Sequence, residues 1–167
     1  VVTYSDKNMH IFSMLGENRR LEKSQDHIEI LEKDYRLDQD YSPYEDEGLF
    51  LEGTSSLVMD RINRIAYMGI SARSNLKLAQ IWSEKNDYKL IPFETSSHTG
   101  GPIYHSDVMM YIGTELAVVC EDSITNGKSN VIESLRKTHE LMFITQEQLL
   151  NFCGNCIEVK DDEGRFC

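Results

Sequence analysis

Residues Ser56–Phe93, SLVMDRINRIAYMGISARSNLKLAQIWSEKNDYKLIPF, decide the fold. An apolar run over Ser56 to Met59 meets a polar turn at Asp60-Arg61-Ile62-Asn63, and a second run follows over Arg64 to Ile70, so the pair reads as a β-hairpin. From about Ser74 to Glu84 the apolar residues shift to helical spacing, with Leu78, Ile81 and Trp82 on one face. Lys89 to Phe93 is then a short apolar strand, which completes a ββαβ unit.

The same order stands on either side of this unit. Before it come Val2 to Tyr4, a turn at Ser5-Asp6-Lys7-Asn8, His10 to Leu15, a helix expected over Asn18 to Asp34 with Leu21, Ile28 and Leu31 on one face, and a strand near Tyr35 to Leu37. After it come Val108 to Ile112, a tight Gly113-Thr114 turn, Leu116 to Cys120, a helix over Ser129 to Thr138, and a strand over Leu141 to Ile144. Thr145 and Gln148 have capping-box spacing and start a short helix over Gln146 to Phe152. A fourth hairpin is expected from Cys156 to Lys160, turning through Asp161-Asp162-Glu163-Gly164. The period is about fifty residues, in the range that marks arrays of packed modules. No single hairpin can bury its apolar face alone, so the modules must pack side by side. The segments between them, Asp38 to Gly48 and Glu94 to Gly101, become the long loops in which function usually resides.

At 167 residues and 40% apolar content, the chain has the size of one globular domain, residues 1–167. Its opening on Val1-Val2-Thr3-Tyr4 and its close at Gly164-Arg165-Phe166 both read as strands, so the domain is expected to be incomplete at both ends. No apolar run of membrane-spanning length and no signal-peptide pattern is seen, which makes the cytoplasm the default expectation. A net charge of -11 with scattered Lys and Arg argues against nucleic acid or an anionic membrane as partner. A small molecule is the expected partner, and a homo-oligomer stays open. Cys120 lies in an apolar run, and Cys153 and Cys156 form CGNC with no second CxxC or paired His to complete a metal site. Both are read as small buried hydrophobes, and no metal or cofactor is expected.

The residues that carry chemistry are Glu52, His105 and Asp107. Phe50-Leu51-Glu52-Gly53 delivers a lone carboxylate into a loop of small residues, and in Pro102–Gly113, PIYHSDVMMYIG, a His and an Asp two positions apart can project to one face of a strand. Such a set can work on a cationic or ureido carbon. Taken singly, Glu52 can cap a turn, Asp107 can form an Asx turn, and His105 can be a hydrogen-bonded strand-end residue. Of the other histidines, His98 reads as solvated in its loop, and His10, His27 and His139 read as surface.

In order along the chain, ENRRLE, FLEGTSS, MGISARSN and PIYHSDVMM resemble the guanidino-group-modifying, or pentein, superfamily of arginine deiminases, dimethylarginine hydrolases and amidinotransferases. The likeness is greatest to the amidinotransferase-like branch that includes citrulline hydrolases, and it runs the length of the chain. It implies a five-bladed α/β propeller, of which this chain covers about three modules, and a Cys-His-Glu apparatus. On the matching positions, Glu52 and His105 are implied to be catalytic, Asp107 to grip guanidinium nitrogens, and Arg73, with Arg19 or Arg20, to hold the substrate carboxylate. The family's nucleophilic Cys lies near the C-terminus in a Gly-rich segment that this chain does not reach, and a polar substrate-binding residue lies before its start. The implied activity is Cys-dependent hydrolysis or deimination of an arginine-like amino acid, with the isolated chain inactive; the alternative is a non-catalytic binding protein on the same fold. Ser55 stands where the family motif has an Asp, and Asp107 where many near relatives have Asn.

Overall fold

The computed structural model describes residues 1–163. In the first module, β1 (Val2–Thr3) pairs antiparallel with β2 (Asn8–Ile11), and after helix α1 (Gln25–Leu31) the chain returns as β3 (Arg36–Asp40), parallel to β2. The second repeats this with β4 (Val58–Asp60), β5 (Ile65–Gly69), α2 (Leu76–Lys85) and β6 (Lys89–Thr95). In the third, the hairpin of β7 (Met110–Ile112) and β8 (Leu116–Val119) is followed by a short strand β9 (Ile124–Asn126), helix α3 (Lys128–Leu135) and β10 (Glu140–Phe143), parallel to β8. The result is a mixed α/β structure of three small sheets, ordered β1-β2-β3, β4-β5-β6-β9 and β10-β8-β7. Every sheet has an antiparallel hairpin whose second strand lies parallel to the strand after the helix. A closing helix, α4 (Gln146–Leu150), starts at the full Thr145/Gln148 capping box that its sequence announces.

The modules are joined in two ways. Strand β9 crosses over to pair antiparallel with β6, through Glu94↔Asn126 and Thr95↔Ile124. Gly127 follows with φ +84, and a Cβ there would come within 3.2 Å of Phe93 Cβ, so a side chain would be strained in both backbone and space. The second link is apolar. Helix α2 buries Leu78, Ala79 and Trp82 in one cluster with Phe12, Tyr41, Leu51 and Met68, which binds the first module to the second. A larger cluster, including Tyr67, Phe93, Met110, Val119, Val131 and Leu135, binds the second to the third.

Several expectations are corrected. The first helix is broken: residues Glu17–Lys23 form a 3-10 segment and α1 begins only after Ser24, whose extended backbone separates the two. Leu21 and Ile30 are exposed, and Ile28 alone of α1 is buried, because ENRRLEK supplies charges where a continuous helix would need a buried stripe. The strand after α1 covers Arg36–Asp40. His10 is buried between the Trp82 indole N–H, at 3.4 Å, and Asp38, at 3.3 Å, so a strand histidine expected at the surface is a satisfied core group. The His139 side chain is likewise buried, 3% exposed, with Nε2 3.2 Å from the Gly113 carbonyl. His27 and His98 are exposed as expected. Cys153 and Cys156 are exposed, and residues 156–159 form no strand. The second strand of the expected fourth hairpin, with Cys167, lies outside the described residues.

Trp82 is fully buried at the junction of the first two modules. Trp82→Ala is expected to lower the unfolding free energy in a urea titration by about 3–5 kcal/mol. A loss below about 1 kcal/mol would show that the two modules do not depend on this cluster.

Candidate functional site

Glu52 and His105 occupy the same place in successive modules. Glu52 directly precedes the 3-10 turn Gly53–Ser55 that leads into β4, and His105 directly precedes the 3-10 turn Ser106–Val108 that leads into β7. They lie 53 residues apart in sequence, close to the repeat length, so the repeat itself brings them together. Gly53, with φ +62 and 3.0 Å between a virtual Cβ and Val2, turns the chain sharply just after the carboxylate.

The two side chains meet in a buried hydrogen bond of 2.6 Å from His105 Nε2 to Glu52 Oε2. The other carboxylate oxygen accepts the Leu15 backbone N–H at 2.9 Å. The Glu52 N–H donates to Ser56 Oγ at 3.0 Å, and that hydroxyl donates to the Arg73 carbonyl at 2.9 Å. Ser106 Oγ donates to the Ser56 carbonyl at 2.7 Å and accepts the Gly69 N–H at 2.9 Å. Ser56 and Ser106 thus lock the two turns to each other and to the end of β5. Sequence reading passed over both. They stand four and one positions after the site residues, and only the fold shows what they bond.

Two guanidinium groups flank the carboxylate. Arg73 Nη1 lies 3.5 Å and Arg19 Nη1 3.7 Å from Glu52 Oε2. Each comes from the loop between the second strand and the helix of its module, the second for Arg73 and the first for Arg19. The Arg73 guanidinium also lies 5.4 Å from the ring centroid of Tyr104, whose ring is 4.9 Å from that of His105. Arg20 is committed elsewhere, 3.3 Å from Glu45 and 3.1 Å from the Met14 carbonyl. Asp107 lies in the turn after His105, its carboxylate hydrogen-bonded to Ser55. It lines a cavity of about 300 Å³ with Thr54, Met110, Asn155 and Cys156. The three described cysteines bond away from Glu52 and His105: Cys120 is buried against Ser123, and Cys153 and Cys156 bond to carbonyls of their own turn. Among the described residues no cluster of three or more His, Cys, Asp or Glu side chains is arranged to hold a metal ion.

Burial pushes the His105 pKa below 6.5 despite the pull of Glu52 and Asp107. For Glu52, burial acts to raise the carboxyl pKa, but the His105 hydrogen bond, the Leu15 N–H and the charges of His105 and Arg73 outweigh it and hold the group below 4.5. At neutral pH the pair is therefore an anionic carboxylate accepting from a neutral imidazole. Asp107 is pushed above 3.8 by burial, against the opposing effects of His105, Ser55 and Arg19. A neutral, buried imidazole beside a fixed carboxylate can take a proton from an incoming acid and return it to a leaving group.

The chain belongs to the guanidino-group-modifying superfamily of pentein proteins. More narrowly, the chain belongs to the family of eukaryotic N,N dimethylarginine dimethylhydrolases, whose family model matches residues 1–167. No curated protein sequence matches it. Among solved structures, a mutant N-terminal domain of ArgZ bound to substrate, an arginine dihydrolase from the ornithine-ammonia cycle in cyanobacteria, superposes with a TM-score of 0.72 at 16% identity, over 94% of this chain and 54% of that one. A mutant of AgrE in binary complex with L-arginine gives 0.72 at 18% identity, over 95% of this chain and 22% of that one. Unliganded AgrE gives 0.71, also at 18% identity and over the same shares of the two chains. At these identities the likeness shows the fold, and the chain spans about half the length of the ArgZ domain.

The shifts carry a sign. His10 and His105 are both held below 6.5 by burial, so the unfolded chain takes up protons before the folded chain does, and their contribution to stability is present above about pH 6.5 and eroded below it. Glu52 adds a further loss only as the pH falls through its depressed folded value, while raised Asp107 opposes that loss. Urea unfolding is expected to give a smaller free energy at about pH 5.5 than at about pH 7.5, with most of the difference removed in a His10→Gln, His105→Gln double variant. Equal stability at the two pH values would contradict the buried neutral state of both histidines.

Proposed function

We propose that the protein carrying this chain is a Cys-dependent hydrolase or deiminase acting on the guanidino or ureido carbon of an arginine-like amino acid, with free citrulline or arginine as the substrate class. The observation that carries this reading is the buried 2.6 Å Glu52–His105 bond with Arg19, Arg73 and Asp107 around it. A guanidinium carbon is a poor electrophile, so it must be held by carboxylates and attacked by a strong nucleophile. In this reading a cysteine thiol, from the C-terminal segment that the family resemblance implies, gives its proton to neutral His105 as the S–C bond forms. His105 passes that proton to the departing amine as the C–N bond breaks and leaves a thiouronium intermediate (a thiocarbamate from a ureido substrate); it then takes a proton from the attacking water and returns it to the sulfur as the S–C bond breaks. Glu52 orients the substrate nitrogens and stabilises the imidazolium. One ArgZ structure is described as covalently bonded to a reaction intermediate, which supports a covalent route on this fold. The five-bladed propeller closing the pocket, and a cytoplasmic location, belong to the same proposal.

Asp107 bears on the choice of substrate. As an anion it favours a guanidinium over a neutral ureido group, but burial raises its pKa and two arginines already lie near Glu52, which narrows the preference. The competing reading is a binding protein that keeps the fold without turnover.

The full-length protein, assayed side by side with arginine, dimethylarginine and citrulline, is expected to release ammonia or an alkylamine. His105→Ala should lower kcat by about 10²–10⁴-fold. Asp107→Asn should move the arginine-to-citrulline preference toward citrulline, and Arg73→Ala should weaken binding by about 1.5–3 kcal/mol. Binding of these amino acids without any turnover would decide for the binding protein.

A further inference from the structure

Glu45 takes no part in the chemistry above, yet it organises the segment on which Glu52 depends. It ends the 3-10 turn Ser42–Glu45, and its side chain is only 13% exposed. One carboxylate oxygen accepts the Met14 backbone N–H at 2.6 Å and the Lys23 ammonium at 2.5 Å. The other lies 3.3 Å from Arg20 Nε, and the same Arg20 atom donates to the Met14 carbonyl at 3.1 Å. The neighbouring N–H, that of Leu15, is the one that Glu52 accepts. Two consecutive amides are therefore claimed by two carboxylates, while one residue earlier Ser13 Oγ accepts the Leu51 N–H at 2.9 Å. Arg19 lies within the same stretch, between Met14 and Lys23, which Glu45 grips at both ends.

We infer that Glu45 is a positioning residue: it holds residues 14–23 where the Leu15 N–H and the Arg19 guanidinium can reach Glu52. The inference rests on the reading of Glu52 as a site carboxylate. Three donors meet at a mostly buried anion, and Lys23, only 10% exposed, would be left beside an uncharged group if that anion were neutralised. With the clamp released, the Leu15 N–H is free to leave Glu52, and the carboxyl loses one of the groups that hold its pKa down.

The test uses the full-length protein and reads the amides directly. In Glu45→Gln, hydrogen exchange at the Leu15 amide, followed by NMR, should speed up roughly ten-fold or more, on the scale of one lost hydrogen bond. The Leu78 amide in α2, far from the clamp in sequence, should keep its protection and so report that the fold is intact. Lys23→Gln weakens the same clamp from its other side and should act in the same direction by a smaller factor, which keeps the question open to test if Glu45→Gln does not fold. Glu45→Asp, which keeps the charge, should recover part of the protection. In turnover, the acid limb of kcat/KM should move to higher pH in Glu45→Gln, since Glu52 must then be ionised without its Leu15 donor. Wild-type protection of Leu15 in both folded variants would overturn the inference, as would faster exchange with an unmoved acid limb. The exchange measurement needs no substrate, so it still decides the matter if the protein turns over no guanidino or ureido compound.

Discussion

The hydrogen bond between Glu52 and His105 is the constraint to which the rest of the structure answers. A carboxylate and an imidazole buried together are costly unless every remaining lone pair and proton finds a partner. The chain supplies those partners from all three modules. Leu15 in the first module fills the second carboxylate oxygen, Ser56 and Arg73 in the second hold the Glu52 backbone, and Ser106 in the third ties the His105 turn to the end of β5. The apolar clusters between modules are what make this convergence rigid, because they fix the sheets that carry the turns.

The site is built from two kinds of loop used repeatedly. The loop before each first strand contributes Glu52 in one module and His105 with Asp107 in the next. The loop between the second strand and the helix contributes Leu15 and Arg19 in one module and Arg73 in the next. Carboxylates and the imidazole thus come from one slot and the guanidinium groups from the other. The candidate site is divided between loops, while the strands and helices of each module vary around a shared pattern.

Much of this was legible in the sequence. The ββαβ order came from alternating and helical periodicity, and α2 and β6 fall within a residue or two of their expected limits. Glu52, His105, Asp107 and Arg73 could be singled out because a lone carboxylate and an H-x-D pair in small-residue loops are unusual in a core pattern, and because the motifs resemble a family. What could not be read depends on contacts across the chain. Strand β9 is three residues long and exists only by pairing with β6. His10 looked like a surface residue on a strand because nothing local shows that Trp82, 72 positions later, supplies its partner. The first helix was overextended because Leu21 keeps helical spacing with Ile28, although it ends exposed on a charged 3-10 turn. Glu45 carried no motif, and its weight appears only when Met14, Arg20 and Lys23 are seen to meet at it.

The 53-residue separation of Glu52 and His105 has a consequence in folding time. The whole second module lies between them, and its hairpin, helix and parallel strand close through much shorter loops than the pair itself. Short closures carry the smaller entropic cost and come first, so the bond between the two residues is made across a module already in place. The buried pair then acts as a late latch. A change that slows or misplaces the second module, even far from the carboxylate, delays the assembly of the site as a whole.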